Sequence, residues 1–125
     1  MEKQERSPLM NIFLYGRRDE WETLQETIET RTLLSYRQKQ FRCYDNYDDF
    51  IIGMQEESPT LIIVTIDGAE GMEAVIASRE NVPQAKVIWF SDDKAFGPQS
   101  YRLDCSYFGV KPITDEMLNR AFAQI

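Results

Sequence analysis

Histidine is absent from the 125-residue sequence, and cysteine occurs only twice, as Cys43 and Cys105. Without histidine, the chain lacks the commonest general base, the usual partner of a serine or cysteine nucleophile and the main ligand of most zinc sites. The two cysteines are far apart and belong to no CxxC motif, so we expect free, buried thiols. These absences favour a protein that is not an enzyme.

Long hydrophobic segments and an excess of basic residues are also missing. No apolar run approaches the roughly 18 residues that cross a bilayer, and no signal-peptide core follows the amino terminus. The 14 lysines and arginines are outnumbered by 21 aspartates and glutamates, which gives a net charge of −7. Such a charge argues against nonspecific binding to phosphate backbones. We therefore predict a cytoplasmic protein that binds neither membranes nor nucleic acids directly.

The rest of the composition is that of one globular domain. Hydrophobic residues make up 42% of the chain and charged residues 28%, which supplies a core and excludes wholesale disorder. Residues 1–8 are polar and are predicted to form a disordered tail. Residues 9–125 contain no linker and no internal repeat, so they are predicted to form a single domain.

Short apolar runs alternate with segments of helical periodicity along the domain. The central run, residues 61–66, lies between Pro59 and Asp67 and is typical of a strand buried on both faces. Four further strands are predicted at residues 9–15, 41–44, 87–90 and 106–110. With helical segments between them, the pattern predicts an α/β domain: a five-stranded, doubly wound parallel sheet with helices on both faces.

Polar residues follow four of the predicted strands. Because the carboxyl ends of parallel strands meet at one edge of a sheet, these residues are expected to border a common crevice. They are Gly16, Arg17 and Arg18 after the first strand, Thr65 and Asp67 after the third, Ser91, Asp92 and Asp93 after the fourth, and Lys111 after the fifth. A hydroxyl after the fourth strand and a lysine-proline pair after the fifth are the most specific parts of this pattern.

Two segments resemble the receiver domains of bacterial response regulators, Val87-Ile88-Trp89-Phe90-Ser91 and Tyr107-Phe108-Gly109-Val110-Lys111-Pro112-Ile113. Residues 99–108 look most like receivers that precede a LytTR-type DNA-binding domain, and residues 71–74 are similar to the start of the third helix there. The resemblance runs from residue 9 onward and implies the CheY-like strand order 2-1-3-4-5. It leaves open a DNA-binding domain beyond residue 125 in the native gene.

The resemblance implies roles for three strand-end residues. Ser91 falls on the switch hydroxyl, Phe108 on the switch aromatic and Lys111 on the lysine that contacts the phosphoryl group. The residues themselves also allow simpler interpretations. Ser91 is equally typical of a hydroxyl that satisfies backbone groups at a strand end, and Lys111 of an ion pair with Asp67 or Asp92.

The same resemblance shows departures at the positions that perform receiver chemistry. Receivers hold Mg²⁺ with acids after the first strand, where this chain has Gly16, Arg17 and Arg18, and Thr65 stands at the phosphoacceptor aspartate. Mg²⁺ needs anionic oxygen ligands, and phosphoryl transfer needs a cation over the equatorial oxygens. Both are therefore predicted to be lost, and no cofactor is expected. Alternatively, the two arginines form only a solvated helix start.

The resulting prediction is an atypical, phosphorylation-independent signal-transduction domain that acts through protein–protein contacts. One alternative is a conventional phosphoacceptor receiver of a two-component phosphorelay that uses Asp67. In that case Thr65 and Ile66 would lie within the strand and Asp67 would point to the same side as Thr65. Another alternative is a small-anion sensor, in which Arg17, Arg18 and Lys111 converge on an anion.

A protein interface is predicted on the face formed by the fourth helix, the fifth strand and the fifth helix. Receivers of this resemblance usually pair there, so a homodimer or another protein partner is expected to bind this face. Gly97-Pro98 is predicted to break or shorten the helix expected at residues 94–103. That would leave Phe96 and Tyr101 partly exposed beside Tyr107, as anchors of the interface. Burial of these aromatic residues in the core is the alternative.

Overall fold

The computed structural model describes residues 9–125, so the tail predicted at residues 1–8 lies outside the described part of the chain. Five parallel strands form one sheet in the order β2-β1-β3-β4-β5. The strands are β1 (Met10–Tyr15), β2 (Lys39–Tyr44), β3 (Leu61–Val64), β4 (Lys86–Ser91) and β5 (Tyr107–Val110). The predicted fold class and strand order are confirmed.

Five helices cover the two faces of the sheet. They are α1 (Arg18–Arg31), α2 (Tyr47–Glu56), α3 (Gly68–Asn81), α4 (Gly97–Arg102) and α5 (Asp115–Phe122). The core on one face contains residues of α1 and α5, and the core on the other contains residues of α2 and α3. None of the helices within residues 9–125 is long and apolar enough to cross a membrane.

The strand β3 lies at the centre of the sheet, between β1 and β4. All four of its side chains are fully buried. Because successive side chains of a strand point to opposite faces, Leu61 and Ile63 enter the core beneath α1 and α5. Ile62 and Val64 enter the core beneath α2 and α3. With no face exposed to water, this strand has no polar position, which explains its uninterrupted apolar sequence.

The helices α2 and α5 each begin with a side-chain cap. The side chain of Asn46 accepts a hydrogen bond from the Asp49 backbone N–H at 3.0 Å, and α2 begins at Tyr47, directly after Asn46. Similarly, the hydroxyl of Thr114 accepts from the Met117 N–H at 3.1 Å before α5. Each cap satisfies an N–H group that has no partner within its helix.

Two strand boundaries differ from the sequence-based expectation. The strand β3 ends at Val64, two residues earlier than predicted. The strand β2 begins at Lys39, within a segment that looked like a polar break. The ammonium of Lys39 is buried, donates to the backbone carbonyls of Leu34 and Arg37, and pairs with Glu29 at 2.9 Å. Because its charge is satisfied in this way, a lysine can begin an edge strand.

Gly97-Pro98 begins a helix rather than breaking one. A 3₁₀ turn at Lys94–Phe96 comes first, and α4 then starts at Gly97 with Pro98 in its first turn. Proline is tolerated there because the N–H groups of the first turn lack intrahelical partners in any case. The result is a short α4 of six residues, so the expected shortening is observed but its cause is different.

Candidate functional site

Thr65 lies at the carboxyl end of β3, in the middle of the sheet edge. Its backbone N–H still donates to the Tyr15 carbonyl at 2.9 Å, so the chain stays against β1 for one residue beyond β3. Its side chain is buried, with the whole residue only 2% exposed. A threonine hydroxyl therefore occupies the central position of this edge.

Gly16 faces this hydroxyl from the end of β1. A Cβ atom added at Gly16 would overlap the Thr65 Oγ1 atom. The Thr65 hydroxyl therefore fits at this position only because Gly16 has no side chain. Any acid at position 16 would require the Thr65 side chain to move.

Glu20 reaches the same place from the first turn of α1. The Thr65 hydroxyl donates a hydrogen bond to Glu20 Oε1 at 3.1 Å. The contact with Glu20 was not among the sequence-based predictions. The available signal was the place of Glu20 in the first turn of α1, the helix that follows β1 directly.

Lys111 completes the group from the end of β5. Its ammonium donates to the Thr65 backbone carbonyl at 2.7 Å and pairs with Asp67 Oδ1 at 2.9 Å. The second oxygen of the Glu20 carboxylate, Oε2, lies 3.5 Å from the same nitrogen. The Lys111 side chain is only 19% exposed, so these contacts are partly shielded from water. We call Glu20, Thr65, Asp67 and Lys111 the strand-end cluster.

The position of Asp67 follows from the turn between β3 and α3. Because β3 ends at Val64, Asp67 lies outside the strand and precedes α3 at Gly68. Gly68 has a φ of 71°, a left-handed conformation that suits glycine. Its N–H donates to Asp92 Oδ1 at 3.3 Å. The strand extension through Ile66, which the alternative with Asp67 as phosphoacceptor assumed, is therefore absent.

The convergence of three cations that the anion-sensor alternative assumed is not observed in the structure. Arg17 is exposed and its guanidinium pairs with Asp19 at 2.7 Å. Arg18 pairs with Asp45, 3.1 Å away, and lies over the Trp21 ring. Only Lys111 enters the strand-end cluster, because the helical start of α1 directs both arginines to acids outside it.

Arg17 nevertheless lies close enough to the strand-end cluster for the charges of the cluster to affect its pKa. The hydrogen bond with Asp19 is the main cause of its raised pKa, and the charges of Asp19, Glu20 and Asp67 raise the pKa further. The same hydrogen bond lowers the pKa of Asp19. Arg17 is therefore near the strand-end cluster but forms its ion pair outside it, with Asp19.

The residues at this edge do not fit a receiver-type magnesium ion. Gly16 supplies no carboxylate, and Thr65 supplies a neutral hydroxyl. The two nearby carboxylates, of Glu20 and Asp67, are both engaged by the Lys111 ammonium. Within residues 9–125 there is no group of three or more acids or cysteines placed to hold a metal ion. The predicted loss of Mg²⁺ binding stays a prediction, which a titration can test.

Ser91 is fully buried at the end of β4, and its hydroxyl contacts the two residues that follow it in the chain. Its hydroxyl accepts from the Asp93 N–H at 3.1 Å and lies 3.4 Å from Asp92 Oδ1. Asp93 in turn accepts from the Ala95 N–H at 2.8 Å and caps the 3₁₀ turn. These bonds match the simpler interpretation of a hydroxyl that satisfies strand-end groups.

Phe108 packs in an aromatic group around the buried Trp89. The two rings meet edge to face, with centroids 5.2 Å apart, and Phe96 lies 5.4 Å from Trp89 on another side. Both phenylalanines are half-buried. The aromatic residue that the resemblance assigns to the switch position therefore packs inward.

The three aromatic residues predicted at an interface are not equivalent. Phe96 packs on Trp89, and the half-buried Tyr107 has its ring 6.0 Å from that of Phe90. Tyr101, by contrast, is 88% exposed on α4, so the alternative of core burial is wrong for this residue. Val110 is also exposed, at the end of β5. Only Tyr101 has the full exposure expected of an interface anchor.

The fold recurs in solved structures. The pilus assembly protein CpaE of Caulobacter crescentus superposes with a TM-score of 0.71 at 21% identity over 92% of each chain. A response regulator from Thermotoga maritima gives 0.71 at 19% identity, covering 94% of this chain and 98% of the other. RcsB from Salmonella enterica, bound to promoter DNA, gives 0.72 at 13% identity, covering 93% of this chain and 67% of that one.

No protein-family model and no curated protein matches the sequence. The similar structures include response-regulator receivers and CheY-like proteins as well as CpaE. Their sequence identity to this chain is low, so the similarity concerns the path of the backbone and the order of the elements. The chain therefore has the fold of a receiver domain.

Proposed function

We propose that this chain is a receiver-like signalling domain that acts through protein contacts and carries no phosphoryl group at the end of β3. The observation that carries the proposal is the position of Thr65. A hydroxyl, hydrogen bonded to Glu20, is present at the position that the resemblance assigns to the acceptor carboxylate of a receiver. Threonine is a weak nucleophile, and the ammonium beside it, Lys111, is already paired with Asp67 and Glu20.

The similar structures are compatible with such a role. One of them is named for pilus assembly and another is a response regulator, so this fold occurs in proteins of both kinds. The RcsB structure contains promoter DNA, and this chain corresponds to 67% of its length. A DNA-binding domain beyond residue 125 therefore stays an expectation for the native gene.

The interaction surface is proposed on α4 and β5. Tyr101 and Val110 are exposed there, and a tyrosine can bury a large area with few rotatable bonds. Because the switch residues Ser91 and Phe108 are held by local contacts, this surface is expected to remain in one state. Association, with a second copy or with another protein, should then be constitutive.

Acetyl phosphate tests the proposal directly. Incubation with acetyl phosphate and Mg²⁺ should leave the intact mass of the protein unchanged, whereas an orthodox receiver treated in parallel should gain one phosphoryl group. The Asp67→Asn variant identifies the acceptor if modification occurs. A phosphoryl adduct that is present in the wild type and absent from Asp67→Asn would establish the conventional alternative and overturn the proposal.

A further inference from the structure

The strand β2 forms one edge of the sheet and pairs with β1 alone within residues 9–125. Its register with β1 is continuous from Lys39 to Tyr44. At the two ends of this pairing, the carbonyls of Gln38 and Tyr44 accept from β1, each at 3.0 Å. Because backbone groups alternate in direction along a strand, those of Lys39, Phe41 and Cys43 point away from β1. The edge therefore presents N–H and C=O groups to which another strand can bond.

The features that usually keep an edge strand from pairing are weak in β2. Natural edge strands are protected by short length, proline, bulges or outward-pointing charges. This strand has six residues and contains no proline. Its lysine is turned inward, because the Lys39 side chain is 2% exposed and pairs with Glu29 at 2.9 Å. Arg42 pairs with Glu57 at 3.2 Å. Both cations of β2 are therefore already paired with acids of this chain.

A groove on the surface of α1 runs along this edge. Gln25 Nε2 donates to Cys43 Sγ at 3.1 Å, and Glu29 pairs with Lys39, so α1 lies beside β2. The residues that line the groove recur every three to four positions on one side of the helix, and half of them are glutamates: Arg18, Trp21, Glu22, Gln25, Glu26 and Glu29. A strand added to β2 would therefore have this acidic groove beside one of its faces.

Glu22 and Glu26 give the groove its free negative charge. Both residues are exposed, and within residues 9–125 neither forms an ion pair, whereas Arg18 is paired with Asp45 and Glu29 with the lysine of β2. The two glutamates are about one helical turn apart, or about 6 Å along the axis of α1. Alternate residues of a strand point to the same face and are about 6.6 Å apart. Two successive side chains on one face of an added strand therefore match the spacing of the two carboxylates.

We propose that the β2 edge and the α1 groove bind an extended, basic segment of a partner protein. The segment adds a sixth strand to the five-stranded sheet, its backbone bonding to that of Lys39, Phe41 and Cys43. Lysine or arginine at its alternate positions pairs with Glu22 and Glu26. Because β2 and β5 are opposite edges of the sheet, this surface is distinct from the one in the proposed function, and the inference goes beyond that function.

Charge excludes a second copy of this chain as the occupant. Antiparallel pairing of two β2 edges about a two-fold axis places both α1 helices on the same face of the joined sheet. The glutamates of one copy would then lie opposite those of the other, and like charges repel across such a contact. The whole chain also carries a net charge of −7. A basic partner segment removes this repulsion.

The probe is a six-residue peptide of alternating lysine and valine, acetylated and amidated at its ends. It is titrated into the isotope-labelled protein and followed by NMR. The amide signals of Lys39, Phe41 and Cys43 should shift saturably and exchange more slowly with solvent, because these N–H groups donate to the peptide. The same peptide with glutamate in place of lysine should not bind. A version methylated on its backbone nitrogens should not bind either, since it cannot donate to β2.

Matched variants make the outcome specific. Glu22→Gln combined with Glu26→Gln should raise the dissociation constant of the lysine peptide by about 2- to 30-fold, the span expected for two exposed ion pairs. Glu73→Gln combined with Glu80→Gln removes the same charge from exposed positions of α3 and should leave the affinity unchanged. Tyr101→Glu should also leave it unchanged, because α4 precedes β5 at the opposite edge of the sheet.

Equal losses of affinity in the two double variants would overturn the inference, as would the absence of shifts at the Phe41 and Cys43 amides at millimolar peptide. Two other occupants are outcomes of the same experiment, and each contradicts the proposal. Protection of the Phe41 amide that rises with protein concentration, without peptide, would identify a second copy. A gain in peptide affinity on deletion of residues 1–8 would identify the amino-terminal segment of this chain.

Discussion

At the scale of single residues, Gly16 and Thr65 depend on each other. The Thr65 hydroxyl occupies the volume that a Cβ atom at Gly16 would need. Protein interiors are close-packed, so one methyl group placed against a buried atom forces a shift of side chain or backbone. The residues at positions 16 and 65 are therefore linked, because a side chain at position 16 requires the Thr65 hydroxyl to move.

Gly16→Ala should destabilise the fold by about 2 kcal/mol, the usual cost of overpacking. Thr65→Ala should cost about 1 kcal/mol through the lost hydrogen bond to Glu20. The double variant should cost less than the sum, because removing the hydroxyl makes room for the new methyl group. Urea unfolding of the four proteins measures this coupling. Strict additivity would show that the two sites do not share space.

Cys105 gives a second prediction at this scale. Burial raises the pKa of its thiol from 9.0 to about 12. Above pH 9 the unfolded chain loses this proton while the folded protein keeps it, so stability should fall as the pH rises from 9 towards 12. Burial also raises the pKa of Tyr15, to about 12, which adds to the loss above pH 10.

Urea midpoints measured below pH 9 and at about pH 10 test this expectation. The drop between them should be smaller in Cys105→Ala than in the wild type. Cys43→Ala is the matched comparison, because burial raises the pKa of that thiol as well but by less. An identical drop in all three proteins would assign the alkaline loss to other groups.

At the scale of elements, side-chain caps stabilise the starts of α2 and α5. Thr114→Ala should lower stability by about 1 kcal/mol, because the Met117 N–H loses its acceptor at the start of α5. Thr114→Ser keeps the hydroxyl and should retain most of the stability. Chemical denaturation of both variants measures the difference. Equal losses would mean that the threonine methyl group, rather than the cap, matters.

The strands were predictable because their signal is local. The uninterrupted apolar run at residues 61–66 indicates burial on both faces, although β3 itself ends at Val64, two residues before the run ends. The start of β2 at Lys39 was not predictable, since it depends on a pairing with Glu29 at the far end of α1. Tertiary contacts of this kind cannot be recognised from the residue types around Lys39.

The site was only partly predictable for a related reason. Strand ends brought Thr65 and Lys111 to one edge, as expected, because strand order alone determines this. The contribution of Glu20 depends on how α1 is rotated about its axis, and the outward course of Arg17 depends on the nearby Asp19. Periodicity gives the buried face of a helix but not the contacts made by its first turn.

At the scale of the whole molecule, association is the property to measure. Tyr101 is the most exposed aromatic side chain on the proposed α4 and β5 surface, at 88%. If that surface binds a second copy, Tyr101→Glu should shift the sedimentation coefficient towards the monomer, because a buried charge without a partner is costly. The wild type should sediment as a dimer at the higher concentrations.

Tyr36 provides the control, since it is 83% exposed after α1 and far from α4 in the sequence. Tyr36→Glu makes the same chemical change and should leave association unaltered. A wild type that remains monomeric at high concentration and captures no partner would leave the surface without support. Equal effects of the two substitutions would indicate nonspecific association.

The central position of β3 has a consequence for amide hydrogen exchange. Its N–H groups pair within the interior of the sheet, so they should exchange with solvent only when the whole domain unfolds. The helix α4 has six residues and buries only Ser100, so its amides should exchange through local opening. The segment that presents Tyr101 can therefore rearrange around a partner while the sheet beneath it remains protected.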